Sequence, residues 1–257
     1  RIIARILGLP EADIPEFTRA VYTAIQGVSI TKPEVMAEAG IAMTALMRYV
    51  GDLLAARRAR PEEDFLTEYV ARTGESDLDA EEIRAQIVTL IIAGSDTTRA
   101  ALTATLSRLL QEPGEWQRLT ADPAAHVEGA VAEGLRTEPV IGAFARVLTR
   151  RVEMEGYRLE EGTVVGSVSL TALRDPAIYT DPDRFDITRQ DHPRLHPIFG
   201  AGPHRCLGEA LARAELEEAL GVIAREAPNT RLIGPPAELR GLGAVRRIFG
   251  METALRA

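Results

Sequence analysis

Cysteine is nearly absent: Cys206 is the single example among 257 residues. That count excludes an intramolecular disulfide framework and a cysteine-rich zinc site. Surplus positive charge is absent too, since 30 Lys and Arg face 38 Asp and Glu for a formal charge of −8. A general nucleic-acid binder needs cations for phosphate contacts, so that class is disfavoured. No run reaches the ~18 consecutive apolar residues that mark a membrane-spanning helix. No basic, apolar and small-residue pattern of a signal peptide follows Arg1. What is present is ordinary for a globular chain, 46% hydrophobic and 26% charged, with enough apolar mass for a core. These features point to a soluble cytoplasmic protein. Without an internal repeat or a low-complexity linker, residues 1–257 read as part of one domain.

Residues 1–138 read as helical almost throughout, with Pro10, Pro33, Pro61, Pro113 and Pro123 at expected helix boundaries. Ile41, Leu46, Val50, Leu53 and Leu54 have the spacing of an amphipathic helix packed on one face. The longest expected helix runs from Asp79 to Glu112, opened by an Asp79–Glu82 capping box and stopped by Pro113. It would be roughly 50 Å long. Between Ile87 and Gly94 it is apolar nearly all round, which predicts burial. After Pro139 the texture changes. Val152–Leu159 reads as a hairpin turning at Glu155-Gly156, and Thr163–Leu170 as a strand. Residues 171–205 hold seven prolines or glycines together with His192, His196 and His204, and read as irregular. Helical periodicity returns over Leu207–Ala227 through Leu211, Ala214, Leu220 and Ile223, before a tail of loop and short strand.

Three segments break these local rules. Ala93-Gly94-Ser95-Asp96-Thr97-Thr98 puts glycine and small polar residues inside the longest helix, at ~1 kcal/mol for the glycine alone. Either Gly94 ends one helix and Ser95 caps another, or the helix opens beside a cavity. In the second case Gly94 admits a ligand, and a carboxylate and hydroxyl stand together for proton delivery. Glu133 and Arg136, at i and i+3, would ordinarily be a solvated pair. If buried, the pair needs partners for all five guanidinium donors. Phe199-Gly200-Ala201-Gly202-Pro203-His204-Arg205-Cys206-Leu207-Gly208 sets the lone cysteine just before a helix. The helix N-terminus and Arg205 would both favour a thiolate. No strand precedes the Gly-x-Gly pair and a third glycine is missing, so a dinucleotide site is rejected. Two roles stay open for Cys206, a nucleophile with His204 as base or a thiolate ligand to iron.

Together these segments resemble the cytochrome P-450 family of haem-thiolate monooxygenases. Phe199-Gly-x-Gly-x-His-x-Cys206-x-Gly208 is similar to the family's cysteine-ligand loop. Ala93-Gly94-x-Asp96-Thr97-Thr98 resembles the oxygen-activating stretch of its central helix, and Glu133-x-x-Arg136 its buried Glu-x-x-Arg motif. Asp181-Pro182-Asp183-Arg184-Phe185-Asp186 resembles the segment whose arginine completes that network, so Arg184 is expected to pair with Glu133. The resemblance implies a mainly α fold, an orthogonal helix array around one long helix with a small β region. It implies haem b, with Cys206 as the axial thiolate and metal ligand, a donor that favours O–O cleavage. Phe199 and Gly200 would pack on the sulfur side, and Arg146, His196 and His204 would contact the propionates. Asp96 and Thr97 match the acid–alcohol pair that delivers protons, which argues for turnover driven by electrons and O₂.

The resemblance covers essentially all of this chain but not all of the family's domain. The family's first helices, part of its sheet, the loop that roofs the pocket and a helix that clamps the haem are expected to precede Arg1. The strand at Thr163–Leu170 would then keep an open edge. The activity implied is insertion of one oxygen atom of O₂ into a small apolar organic substrate. Electrons would come from a separate ferredoxin-like donor with its reductase, docking where Arg194, Arg205 and Arg213 form a basic patch. Leu90, Ala93, Gly94, Val140, Ile141, Phe144 and Leu242-Gly243-Ala244 are the expected pocket lining. The alternatives are a non-catalytic interaction or carrier domain, and a haem protein that leaks electrons to peroxide.

Overall fold

Proline spacing in the first half translates directly into helix starts. In the computed structural model, which describes residues 1–29, 32–241 and 245–256, α1 spans Ile2–Ile6, α2 Ile14–Ser29, α3 Pro33–Ala59 and α4 Phe65–Thr73. The long α5 covers Ala80–Gln111, followed by α6 at Pro113–Ala121 and α7 at Pro123–Thr137. Pro33, Pro113 and Pro123 open their helices, where a missing N–H leaves no bond unmade. The capping box forms as read. The Asp79 carboxylate accepts from the Glu82 amide at 2.8 Å, and Glu82 accepts from the Asp79 amide at 2.8 Å.

Strands follow. β1 (Ala143–Val147) pairs antiparallel with β4 (Val164–Val168), and between them β2 (Val152–Met154) and β3 (Tyr157–Leu159) make a hairpin. At its tip Glu155 and Gly156 have φ of 48° and 79°, the backbone of a type I′ turn. β4 ends at Val168 because Ser169 begins a short helix, α8 (Ser169–Ala172). Its edge away from β1 carries no strand among the described residues. The chain then runs irregularly, apart from two 3₁₀ turns, to α9 (Glu209–Glu226). In the tail β5 (Arg231–Leu232) pairs with β8 (Thr253–Ala254), and β6 (Glu238–Arg240) with β7 (Arg247–Phe249).

The described residues fall into two compact units, Arg1–Asp96 and Thr97–Ala257. The first has an all-helical core in which α2 packs on α3 and α3 on α4. The second builds its core from α6, α7, α9, Leu173, Phe185, Ile187 and Ile198. Residues of α5 serve both cores, Ile83, Ile87, Val88 and Ile91 the first, Ala100, Ala101, Leu106 and Leu109 the second.

Three burial expectations are corrected. The buried stripe of α3 is Ala39, Ala42, Leu46, Val50 and Leu54, so Ile41 falls off it and is 73% exposed. In α9 the stripe is Leu216, Leu220 and Ala224, which leaves Leu211 and Ala214 exposed. Thr89 and Ala93 are exposed on α5, because the first core reaches that stretch from one side only. One membrane expectation also needs qualifying. By length and composition α3 would reach across a bilayer, with a mean hydropathy of 1.2 over an 18-residue window. Its packing on α2 and α4 is that of a helix serving a folded core.

Candidate functional site

Glu133 and Arg136 lie one turn apart on α7, and both side chains are 0% exposed. A bare ion pair so placed would lose more hydration than Coulomb attraction returns. Here every lost water has a replacement. Arg136 donates from Nε to Glu133 Oε2 at 2.7 Å and from Nη2 to Oε1 at 2.8 Å. Its Nη1 donates to the carbonyls of Leu173 and Pro182 at 3.0 and 2.6 Å, and Nη2 also to that of Arg184 at 3.0 Å. All five guanidinium protons therefore have acceptors. The solvated pair that this spacing ordinarily makes is not what forms.

The expected partner of Glu133 needs correcting. Arg184 turns its guanidinium outward to Asp186 at 3.3 Å, with its side chain 66% exposed. Arg189 takes the inner place, donating from Nε to Glu133 Oε1 at 3.2 Å. Its remaining donors meet the carbonyls of Thr180, Asp181 and Arg184 and the Asp191 carboxylate. The signal was an alternation of two: Phe185, Ile187 and Arg189 face inward while Arg184 and Thr188 face out. Two further residues were missed. His192 Nε2 lies 3.5 Å from Glu133 Oε2. The Tyr179 ring lies under both guanidiniums, 5.1 Å from Arg136 and 6.0 Å from Arg189. Burial pushes the Tyr179 hydroxyl pKa up and the His192 imidazole pKa down.

His196 is likewise corrected. It is 2% exposed and both ring nitrogens are engaged inside the protein, so none is left for a propionate. Nε2 meets the Ala132 carbonyl at 3.1 Å and Nδ1 accepts from the Ile198 amide at 3.3 Å. Burial holds its pKa down to about 3, so the ring is neutral. It packs between His192 and Phe199, with ring centroids 5.8 and 6.1 Å away.

Phe199 leads into the cysteine loop. The Cys206 amide donates to the Phe199 carbonyl at 2.8 Å and closes the loop. Gly200 and Gly202 both have φ of 73°, which bulkier residues rarely adopt. Cys206 itself is exposed, three residues before the start of α9 and two before its N-cap Gly208. The expectation that Arg205 supports a thiolate is corrected. Its Nη1 donates to the Gly200 carbonyl and its Nη2 meets Glu209, both at 2.5 Å. Arg213 shares Glu209 at 3.2 Å and lies over the Phe199 ring at 5.1 Å. The expected basic patch is thus partly neutralised at Glu209.

On β1, Phe144 reaches the loop: a Cβ on Gly200 would lie 3.9 Å from its Cε1. Arg146 is exposed and donates from Nη1 to the Ala145 carbonyl at 2.8 Å. His204 is exposed on a 3₁₀ turn. Among the described residues no cluster of three His, Cys, Asp or Glu side chains could hold a metal ion. A metal at Cys206 would therefore take its remaining ligands from a prosthetic group. One exposed thiol and an exposed guanidinium fit haem, which needs an axial donor and counter-charges for its carboxylates.

The segment around Asp96 departs from both readings offered for it. α5 is continuous through Ala93–Thr98, and the Ser95 hydroxyl donates back to the Ile91 carbonyl at 2.6 Å instead of capping a new helix. The space beside Gly94 is taken by Ile3, whose Cδ1 would lie 3.1 Å from an added Cβ. On that side Gly94 serves close packing. Asp96 and Thr97 are half-buried. Among the other expected pocket residues, Leu90 and Ile141 are partly buried and Ala93 is exposed. Val140 is 3% exposed within the second core, a correction to its place in the lining. Leu242, Gly243 and Ala244 lie outside the described residues.

Comparison with known proteins closes the question of family. The family model "Cytochrome P450" matches residues 42–226. The chain is 39% identical over 256 residues to the plant-inducible cytochrome P450-pinF1 of Rhizobium radiobacter, covering 98% of this chain and 60% of that protein. It is 35% identical to nocardicin C N-oxygenase of Nocardia uniformis subsp. tsuyamanensis, covering 93% and 58%. The crystal structure of P450BioI with an acyl-carrier protein ligated to hexadec-9Z-enoic acid superimposes with a TM-score of 0.89 at 30% identity. That match covers 99% of this chain and 65% of the other. The chain thus spans about 60% of the length of these curated relatives. On its sequence, its helical fold and its cysteine loop, the chain belongs to the cytochrome P450 family.

Proposed function

We propose that the chain carries the cysteine-ligand part of a haem-thiolate monooxygenase that inserts one oxygen atom of O₂ into an apolar organic substrate. The observation that carries this reading is the Cys206 loop, closed on Phe199 and turned by two positive-φ glycines so that the thiol stands exposed. Relatives named N-oxygenase and monooxygenase support the reaction class. Haem b, when bound, supplies oxygen activation, and a thiolate ligand strengthens it by electron donation. Cys206 is the proposed ligand, with Phe199 and Gly200 against it and Arg146 and His204 as propionate contacts. Asp96 and Thr97 are the proposed proton carriers, a carboxylate and an alcohol adjacent on α5. Glu133, Arg136 and Arg189 hold the irregular segment that leads into the ligand loop. Leu90, Ala93, Ile141 and Phe144 remain the proposed substrate contacts.

Electrons would come from a separate ferredoxin-like donor in the cytoplasm. The deciding experiment is the absorption spectrum of the haem-loaded, reduced protein under carbon monoxide. A strongly red-shifted Soret band that disappears in Cys206→Ser is the expected outcome. The same band in that variant would remove Cys206 as ligand and with it the proposed function.

A further inference from the structure

A half-open cavity of about 670 Å³ lies in the first unit, between α3 and the start of α5. That volume is in the range of small-molecule sites. Met43 and Met47 line its apolar part, and Arg48, Arg58 and Arg84 stand around it with Asp52 and Glu81. Three guanidiniums against two carboxylates make this a locally basic place on a chain of charge −8. Among the described residues neither Arg48 nor Arg58 has an ion-pair partner. Arg84 is held in position, because its Nε donates to the Ala80 carbonyl at 3.1 Å. Gly51 lets that side chain lie along α3, since a Cβ there would come within 3.1 Å of Arg84 Cδ.

A second observation concerns α3 itself. Met43 and Met47 are only partly buried against the first core, so each keeps some apolar surface at the groove. Partly exposed methionine surface beside two guanidiniums without ion-pair partners is the recognition chemistry of a molecule with a flexible apolar body and an anionic head. We propose that this groove binds an amphipathic organic anion of the aliphatic carboxylate class. The carboxylate pairs with Arg48, Arg58 and Arg84, and the hydrocarbon lies on Met43 and Met47. This site is independent of the Cys206 loop and of the proposed oxygenase reaction.

The test uses methyl-labelled methionine, because five methionines report on different places: Met36, Met43, Met47, Met154 and Met251. Decanoate is titrated into the protein below its micelle concentration, with decanol as the uncharged probe of equal length. Saturable shifts at Met43 and Met47 are expected, with Met154 and Met251 unmoved. Exchanging both Arg48→Gln and Arg84→Gln, or replacing decanoate by decanol, is expected to weaken binding by about tenfold or more, the size of one lost charge-assisted bond. The single variant Arg48→Gln, at an exposed position, gives the same direction with little risk to the fold. The proposal is overturned by unmoved Met43 and Met47 signals, by equal shifts at all five methionines, or by decanol binding as tightly as decanoate.

Discussion

Arg57 in the first unit and Arg136 in the second are both buried, with 8% and 0% of their side chains exposed. Their partners differ in kind. Arg57 meets two carboxylates, Asp64 at 2.5 Å and Glu62 at 3.2 Å, and one carbonyl, that of Gly8 at 3.1 Å. Glu62 is 53% exposed, so water can stand in for it. Arg136 meets one fully buried carboxylate and three main-chain carbonyls, and its own side chain is wholly out of solvent. The first arrangement ties nearby loops by charge. The second fixes the route of an irregular segment, because its acceptors are the backbone itself. A unit whose last long helix is entered through irregular chain needs that kind of tie, and the all-helical first unit does not.

This contrast can be broken most sharply at Arg136. Arg136→Met leaves Glu133 charged and buried, and urea unfolding should show a loss of about 3–5 kcal/mol. Arg57→Met should cost less, about 1–3 kcal/mol, since Glu62 can return to water. Within the second unit, Arg189→Met should cost about 2–3 kcal/mol whereas Arg184→Met stays within ~0.5 kcal/mol. Equal effects would return Arg184 to the network. Gly134 sharpens the picture at the helix crossing, where an added methyl would overlap the Thr105 side chain. Gly134→Ala should destabilise by about 1–3 kcal/mol, with partial rescue by Thr105→Gly in a double-mutant cycle.

The smallest effects at neutral pH are those that acid reveals. An unfolded histidine takes a proton near pH 6.5, but folded His196 does so only near pH 3. Stability is therefore lost as the pH falls across that window. Asp64 acts lower. Burial raises its pKa, but bonds from Thr67 and Arg57 outweigh burial and bring it below 3.8. Its contribution is present above 3.8 and lost as the pH falls through the lower folded value. His196→Leu should flatten the slope of unfolding free energy against pH between 6.5 and about 3. Asp64→Asn should flatten it only below about 3.8.

Much of the fold was legible because it depends on neighbours in the chain. Prolines at first helical positions, the Asp79–Glu82 box and the Glu155-Gly156 turn each involve residues within one turn of one another. The cysteine loop was legible for the same reason, since its glycines and its closing bond lie within eight residues. Arg189, Tyr179 and His192 were not, because their value lies in meeting Glu133 and Arg136 from more than forty residues away. Gly94 and Ser95 misled for a related reason. Local propensity argued for a break or an opening, whereas Ile3 fills the gap and Ile91 accepts the hydroxyl.

The sequence by itself determined the helix order, the turn at the hairpin tip and the family-like cysteine loop, all set by short-range sterics and hydrogen bonding. Tertiary structure alone decided which arginine reaches Glu133, that His196 is a neutral internal strut, and that a basic groove stands open on α3. Burial, carbonyl direction and surface left uncovered arise only when distant segments meet, and no residue type announces them in advance.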